Sequence, residues 1–207
     1  LEQYAQVKNE ENLLPSSDPR VQMVRKVGAK ISSAVERYLK QHNNKELAET
    51  FVWEFNVAKS DVVNAWCMAG GKVMFYTGIL PVCDGEAGIA VVMGHEIAHA
   101  VAKHGNERMS QALLTELGGV ALSVALSEKP EATQNLFLAS YGVGSQLGSL
   151  KFSRTHESEA DKLGLVFMAM AGYDPGYAVD FWQRMSQQGG ARPPEILSTH
   201  PNPETRI

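Results

Sequence analysis

Between residues 19 and 40, apolar residues recur every three or four positions, which is the spacing of one face of an α-helix. Asp18 is placed to cap this helix, and Pro19 stands in its first turn, where proline is tolerated. Residues 1–17 carry scattered apolar positions and end at a Pro-Ser-Ser-Asp-Pro break. The pattern therefore predicts a helical arm at 1–17 followed by one compact domain at 18–207.

The spacing then changes from that of a helix to that of strands. Residues 51–58, 64–68 and 72–76 are rich in β-branched and aromatic residues. Gly70-Gly71 lies between the last two segments, as is typical of a hairpin turn. We expect a small antiparallel sheet of about three strands from this part of the chain.

The sequence after Asp84 is typical of helices. Residues 84–104 are apolar nearly all round, which indicates a helix buried in the middle of a domain and ended by Gly105. Further helices are predicted at about 107–127, 131–148, 154–171 and 175–188, before a proline-rich tail. The expected fold class is α+β, a helix-rich domain with a small antiparallel sheet and a central buried helix.

The composition of the chain excludes some classes of binding partner. The formal net charge of −4 excludes a strongly basic nucleic-acid surface and a polybasic membrane patch. The longest mostly apolar stretch, 112–126, is shorter than the roughly 20 residues of a bilayer span. A buried helix is favoured there, with a lipid-facing role as the alternative. Cys67 and Cys83 allow one disulfide or two thiols, and their spacing is not that of a metal site.

The central helix contains the sequence His95-Glu96-Ile97-Ala98-His99. Residues four apart lie on one face of a helix, one turn from each other, so the two imidazoles can hold one metal ion. Glu96 is offset from that face and can accept a proton from metal-bound water. This is the arrangement of zinc metallopeptidases, whereas histidines satisfied within an apolar core are the alternative.

A third ligand is expected on another helix. The segment from Ser153 to Asp161 opens an apolar helical run and contains three candidates, His156, Glu157 and Glu159. Glu157 and Asp161 share one helix face, so Glu157 can bind the metal while Asp161 orients a ligating imidazole from behind. Spacing alone favours Glu157 only modestly, and a solvated acidic first turn is the alternative.

Short motifs occur in a familiar order and at familiar spacing, namely Asn64-Ala65, Gly85-Glu-Ala-Gly, HEIAHAVAKH at 95–104, Ser153-Arg154, Glu157-x-x-Ala160-Asp161 and Thr199-His200-Pro201. In these motifs the chain resembles the CAAX-prenyl-protease/HtpX family of zinc metallopeptidases, and within it the soluble BepA-type branch. The resemblance covers most of the chain after residue 18. It implies a zincin-like domain built around the HExxH helix.

The resemblance also implies roles for individual residues. One zinc ion per chain is expected, bound by His95, His99 and Glu157, with Asp161 supporting the ligands. His200 is expected near the metal in one of two roles. It either binds zinc as a fourth ligand and closes the site, or helps to stabilise the oxyanion of the reaction.

The expected function is that of a zinc metalloendopeptidase. Glu96 takes the proton of the zinc-bound water and delivers it to the leaving amine. The segment at Asn64 and Ala65 is a candidate edge for pairing with an extended polypeptide substrate, and the family places substrate there. A chaperone or assembly factor of the cell envelope with a closed, low-activity zinc site is the alternative. Prenyl-protein processing in a membrane is disfavoured because the spans are missing.

The resemblance implies the bacterial periplasm or cell envelope and a role in protein quality control, on misfolded or envelope proteins. The chain begins at Leu1 without a basic and apolar leader, so we expect a processed or trimmed product, from which any upstream export signal or lipid anchor would have been lost. Peripheral or lipid-anchored attachment is then the form of membrane association. The sequence leaves the oligomeric state and cleavage preference open, and His42, His104 and His156 are interpreted as structural.

Overall fold

The computed structural model describes residues 2–187 together with Ile196 and His200. In chain order, the helices and strands of these residues are α1 (Glu2–Glu10), α2 (Pro19–Gln41), α3 (Lys45–Glu49), β1 (Glu54–Ala58), β2 (Ala65–Met68), β3 (Lys72–Tyr76), α4 (Leu80–Cys83), α5 (Glu86–Val101), α6 (His104–Ala125), α7 (Glu131–Met170) and α8 (Tyr177–Gln187). A single 3-10 turn at Thr77–Ile79 joins β3 to α4. The expected helix-rich α+β class is confirmed.

Helix α2 begins as its sequence predicts. The Asp18 carboxylate accepts a hydrogen bond from the Arg20 backbone amide, and Pro19 is the first helical residue. The apolar stripe of α2 is buried against α5 and β1, so its three-to-four spacing marks a core-facing helix.

The sheet is mixed, with strand order β1-β3-β2. β2 and β3 form the expected antiparallel hairpin, whose turn residues Gly70 and Gly71 have φ of 83° and 84°. β1 pairs with β3 in parallel, so the expectation of a wholly antiparallel sheet is wrong for β1. The reason is that both connections reverse the chain, which brings β3 back in the direction of β1 and places it between the other two strands.

Residues after α1 cover the outer edge of β1. The Leu14 amide donates to the Val57 carbonyl at 2.8 Å, and the Lys59 amide donates to the Asn12 carbonyl at 2.7 Å. From α1 itself, the buried Tyr4 hydroxyl accepts a hydrogen bond from the Asn56 side chain. Tyr4, Asn12 and Leu14 therefore contact the sheet, and the separation of an arm at 1–17 from a domain at 18–207 stays a prediction.

Helix α5 is the central helix and is buried along nearly its whole length, as predicted. Its ends differ from the expected ones. Asp84 has a left-handed φ of 53° and ends α4, while Gly85 precedes the first turn of α5. At the other end, Lys103 has a φ of 60°, which breaks the helix before Gly105, so Gly105 lies inside α6.

Helix α7 runs without interruption from Glu131 to Met170, whereas the sequence pattern predicted two helices with a break at 149–153. That segment contains Ser149 and Ser153, which are weak helix formers, but it has no proline to remove a backbone donor. The acidic cluster at 157–161 therefore lies inside a long helix and not in a first turn.

The chain divides into two compact units, Leu1–Ala102 with Ser158–Ile207, and Lys103–Glu157. The first contains the sheet and a core formed by α2, α5, α8 and the C-terminal part of α7. The second consists of α6 and the N-terminal part of α7. Both cysteines are free, with Cys83 buried. No single helix of the described residues is long and apolar enough to cross a bilayer, and one bent pair, Thr77–Cys83 with Glu86–Val101, has the length and composition together.

Candidate metal centre

Helix α5 presents His95 and His99 side by side from consecutive turns. Their Nε2 atoms are 3.0 Å apart, and both side chains are buried, at 3% and 7% exposed. Two imidazole nitrogens at this distance can share either a hydrogen or a metal ion, and a metal ion accepts the lone pairs of both. The structure therefore brings the predicted histidine pair together in an arrangement that suits one ion.

Two further donors complete the group. Ligand atoms of His95, His99, Glu157 and His200 all lie within 4.8 Å of one another, and all four residues are buried. The His200 Nδ1 atom is 3.2 Å from His95 Nε2. Zinc bonds of about 2.0–2.1 Å place tetrahedral ligands roughly 3.3 Å apart, close to the two nitrogen separations seen here. The donors present therefore fit one zinc ion.

The Glu96 carboxylate lies beside this group. Its side chain is buried, and its Oε1 atom has no hydrogen-bond partner among the described residues. The same oxygen is 3.6 Å from His200 Nε2. A buried carboxylate oxygen without a donor is costly to maintain, and a water molecule or substrate amide supplies one. Glu96 therefore has the position and the spare acceptor that a general base needs.

Asp161 contacts the ligand shell from behind. Its Oδ1 atom is 2.9 Å from His95 Nδ1, on the side of the ring opposite the donor group. A carboxylate there fixes the imidazole tautomer with a hydrogen on Nδ1 and leaves Nε2 free to bind metal. Trp182 of α8 also packs edge-on to the His95 ring, with centroids 6.1 Å apart. Sequence reasoning missed Trp182, although an aromatic residue in an amphipathic helix was the available signal.

Two glycines allow α5 and α7 to approach closely at this point. A Cβ atom on Gly94 would lie 2.8 Å from the Gly164 carbonyl oxygen, and one on Gly164 would lie 2.9 Å from the Gly94 carbonyl carbon. Gly94 directly precedes His95, and Gly164 is one turn beyond Asp161. The backbone contact thus brings Asp161 within hydrogen-bonding distance of His95.

Asn64 and Ala65 lie at the start of β2, an edge strand of the three-stranded sheet. The Asn64 side-chain oxygen accepts from the Ala65 amide, and both residues are buried. β2 packs against α5, and the burial of Cys67, followed by the nearby Glu96 charge, raises the pKa of the Cys67 thiol. The structure therefore places this segment beside the helix of the donor group, while its role in substrate binding stays a prediction.

The segment that carries His200 is attached near β2. The buried Ile196 donates its amide hydrogen to the Val63 carbonyl at 3.3 Å, and its carbonyl accepts from the His200 amide at 2.9 Å. Ile196 was not predicted, and the tail pattern contained no periodicity to reveal it. Thr199 and Pro201, which complete the predicted Thr-His-Pro motif, lie outside the described residues.

The remaining histidines and acidic candidates lie outside the group. His104 stacks on His156 with ring centroids 4.0 Å apart, and His156 Nε2 is 2.8 Å from a Glu107 carboxylate oxygen. His42 Nδ1 contacts the Tyr38 carbonyl. Glu159 is exposed. Of the three candidate third ligands, the structure brings only Glu157 to the donor group.

Comparisons with known proteins agree with this geometry. A family model described as Peptidase family M48 matches residues 26–207. The mitochondrial metalloendopeptidase OMA1 of Schizosaccharomyces pombe is 37% identical over 157 residues, which cover 75% of this chain and 44% of that protein. OMA1 of Saccharomyces cerevisiae is 31% identical over 206 residues, 96% of this chain and 57% of its own length. The beta-barrel assembly-enhancing protease of Escherichia coli K12 is 30% identical over 161 residues, 75% of this chain and 33% of that protein. The chain thus spans between 33% and 57% of the length of these relatives.

Proposed function

Since this chain belongs to peptidase family M48, as its motifs predicted, we propose that it is a zinc metalloendopeptidase with Glu96 as its general base. The observation that carries the proposal is the group of buried donors on His95, His99, Glu157 and His200 with the Glu96 carboxylate beside it. A metal site that only stabilises a fold has no use for that additional carboxylate.

When bound, zinc supplies a Lewis acid that lowers the pKa of water and polarises a carbonyl oxygen. His95, His99 and Glu157 would hold the ion. The Asp161 carboxylate lies 2.9 Å from His95 Nδ1, where it would accept the hydrogen of that atom and keep the Nε2 lone pair directed at the donor group.

Glu96 carries the proton in the proposed reaction. Its buried Oε1 atom accepts the hydrogen of the attacking water, and the carboxyl group then donates it to the nitrogen of the leaving peptide. Burial keeps bulk water from competing for that oxygen. General acid–base catalysis of this kind contributes typically about 10²–10⁴ in rate.

His200 has two proposed roles that belong to different conformations. Its contact with His95 Nε2 supports a fourth ligand that closes the site. Its Nε2 atom is also 3.6 Å from Glu96, where the water is activated. Without a bond from His200 to the ion, its imidazole in this vicinity would be placed to stabilise the oxyanion.

The substrate is proposed to be an extended polypeptide that pairs with the edge of β2 at Asn64 and Ala65. β2 is an edge strand of the sheet, and main-chain pairing of the kind proposed accepts many substrate sequences. The packing of β2 against α5 supports this path, because it leads along the helix that carries Glu96.

Location and substrate class rest on the resemblance of the motifs and on one relative. Because the Escherichia coli relative is a beta-barrel assembly-enhancing protease, we propose that this chain acts in a bacterial cell envelope on misfolded or envelope proteins, with peripheral or lipid-anchored attachment to a membrane. Other relatives are mitochondrial by name, so the alternative is an organelle location.

A second function follows from the closed donor group. With His200 as fourth ligand the site has no open position, and a chaperone or assembly factor with low proteolytic activity has the same structure. The two functions differ in their dependence on Glu96, since binding of unfolded chains does not need a general base.

The test is the Glu96→Gln variant, assayed on unfolded casein with bound zinc measured in parallel. The amide cannot accept the proton, so we expect kcat to fall about 10²–10⁴-fold while the zinc content stays near one per chain. Glu159→Gln is the matched control, because Glu159 is exposed and lies one half-turn from Glu157 on the same helix.

Equal cleavage by wild type and Glu96→Gln would show that this site is not proteolytic. The assembly-factor function is the correct one if neither wild type nor Glu96→Gln cleaves casein and the two proteins suppress casein aggregation equally.

A further inference from the structure

Helices α6 and α7 form a hairpin in the second unit, and its large apolar side chains face outward. Eight of them are between 48% and 68% exposed, namely Leu113, Leu117, Val120, Val124, Leu136, Val143, Leu147 and Leu150. Within each helix they are spaced three, four or seven residues apart and so form one continuous stripe. A contiguous apolar surface of this extent marks a site of interaction.

The contact between the two helices includes small, polar and apolar groups. The Tyr141 hydroxyl donates to the Thr115 carbonyl at 2.8 Å, and a side chain on Gly118 would collide with that hydroxyl. The leucines among the half-buried positions are Leu122, Leu126 and Leu138. The hairpin thus buries three leucines only in part, while its other large aliphatic side chains stay exposed.

The apolar surface extends over more than one side of the hairpin. The two stripes lie opposite the facing sides, and therefore at the two outer edges. Leu114 and Phe137 are 69% and 51% exposed and lie on the same broad face between those edges. The other broad face is polar, with Glu116, Asn135 and Gln146. A rigid partner covers one patch, but a fluid hydrocarbon layer covers two edges and the face between them.

The charged residues of the hairpin are concentrated outside its apolar surface. Residues 132–150 contain no Asp, Glu, Lys or Arg, and 109–127 contain only Glu116. Exposed basic residues stand at the open end of the hairpin, on Arg108, Lys151 and Arg154. Basic groups that border an apolar surface complement the phosphates of a phospholipid headgroup layer.

From the outward stripes and the basic border, we propose that the α6–α7 hairpin is a lipid-docking surface that lies in the headgroup region of a phospholipid membrane. Its broad apolar face and both edges enter the acyl boundary, and its polar face stays in water. This inference does not depend on the proposed peptidase activity.

The test is flotation of the full chain with vesicles of phosphatidylcholine, and with vesicles of equal parts phosphatidylcholine and phosphatidylglycerol. Wild type is expected to bind both and to bind the anionic vesicles more tightly. The triple variant Leu113→Gln, Leu117→Gln, Val124→Gln is expected to lose at least about tenfold in partitioning to both, because each leucine or valine loses its apolar transfer free energy. Replacing Arg108, Lys151 and Arg154 by Gln is expected to weaken only anionic binding, by about fivefold per charge.

The matched control is Val52→Gln, Val166→Gln, Val179→Gln, which removes exposed valines outside the hairpin and is expected to float like wild type. Circular dichroism checks that each variant is folded. The proposal is overturned if wild type does not float, or if the hairpin variant floats as well as the control. It is also overturned if wild type is a dimer in solution that the hairpin substitutions dissociate without changing flotation, because the surface then belongs to a second copy.

Discussion

The Nδ1 atom of His95 and the Oδ1 atom of Asp161 are 2.9 Å apart, although the two residues come from different helices. The contact couples the orientation of a buried imidazole to the position of α7. Because the opposite ring nitrogen of His95 faces both His99 and His200, the orientation of this one ring affects the whole donor group.

Replacing Asp161 by Asn is expected to weaken zinc binding and kcat/KM by about 10–100-fold, as is usual when the acceptor behind a ligating histidine is lost. The amide keeps the size of the side chain but removes the charge that favours the Nδ1-protonated tautomer. Zinc affinity is measured by competition with a chelator, and kcat/KM on a peptide substrate. Asp180→Asn, at an exposed position of α8, is the control, and equal behaviour of the two variants would contradict the role of Asp161.

Removing His200 separates its two proposed roles. If His200 closes the site as a fourth ligand, His200→Ala opens a coordination position, and we expect peptidase activity to rise severalfold while a chelator removes zinc faster. Ile196→Ala keeps the backbone hydrogen bond to Val63 but removes a buried side chain that packs in the core, and it is expected to change both quantities in the same direction but less. His42→Ala is the control. A fall of about 10²–10³-fold in kcat at unchanged zinc content would instead assign His200 to the oxyanion.

Two glycine-to-alanine substitutions are expected to have opposite signs. At Gly94 the new methyl group meets the Gly164 backbone, so Gly94→Ala is expected to destabilise the fold by about 1–3 kcal/mol through overpacking. At Gly142, also within a helix, the methyl group meets nothing within 4 Å, and Gly142→Ala is expected to stabilise by about 0.5–1 kcal/mol through helix propensity. Urea denaturation measures both. Equal changes would show that the helix crossing is not set by Gly94.

The cap of α2 makes part of the stability depend on pH. Hydrogen bonds from the Arg20 side chain and then from its backbone amide lower the pKa of Asp18 from 3.8 to about 2. A lowered pKa in the folded state means that the contribution is present above the ordinary pKa and is lost as the pH falls towards about 2. The melting temperatures of wild type and Asp18→Ala should therefore differ at neutral pH. They should converge as the pH falls from about 4 towards about 2.

Asp18→Asn serves as the control for this prediction, since its side-chain oxygen still caps the helix but does not titrate at these pH values. Its melting temperature should lie above that of Asp18→Ala at neutral pH. A difference between wild type and Asp18→Ala that persists unchanged to pH 2 would contradict a role for the carboxylate charge.

Local patterns predicted the parts of the fold that local forces decide. The spacing from Val21 onward, the cap at Asp18 and the Gly70-Gly71 turn are each fixed by residues within a few positions, and the structure confirms them. The parallel pairing of β1 with β3 was not predictable in this way, because it depends on where the chain returns. The end of α5 was missed since Lys103 adopts a left-handed conformation that its residue type does not indicate.

The site divides in the same manner. The i, i+4 spacing was enough to predict that His95 and His99 lie together. The same spacing predicted that Glu157 and Asp161 share one face of their helix. The choice of Glu157 over Glu159 depends on which side of α7 meets α5, and that is decided by the close approach of Gly94 and Gly164. Trp182 and Ile196 contribute through packing that no short motif contains.

The wide sequence separation within the donor group has a consequence for biosynthesis. His200 follows His95 by 105 positions, so a ribosome must have released the chain through residue 200 before all four donors exist together. A nascent chain that exposes only α5 offers the ion two histidines and holds it weakly. A closed site therefore requires the chain through residue 200, and a translation product that ends before His200 is unable to form it.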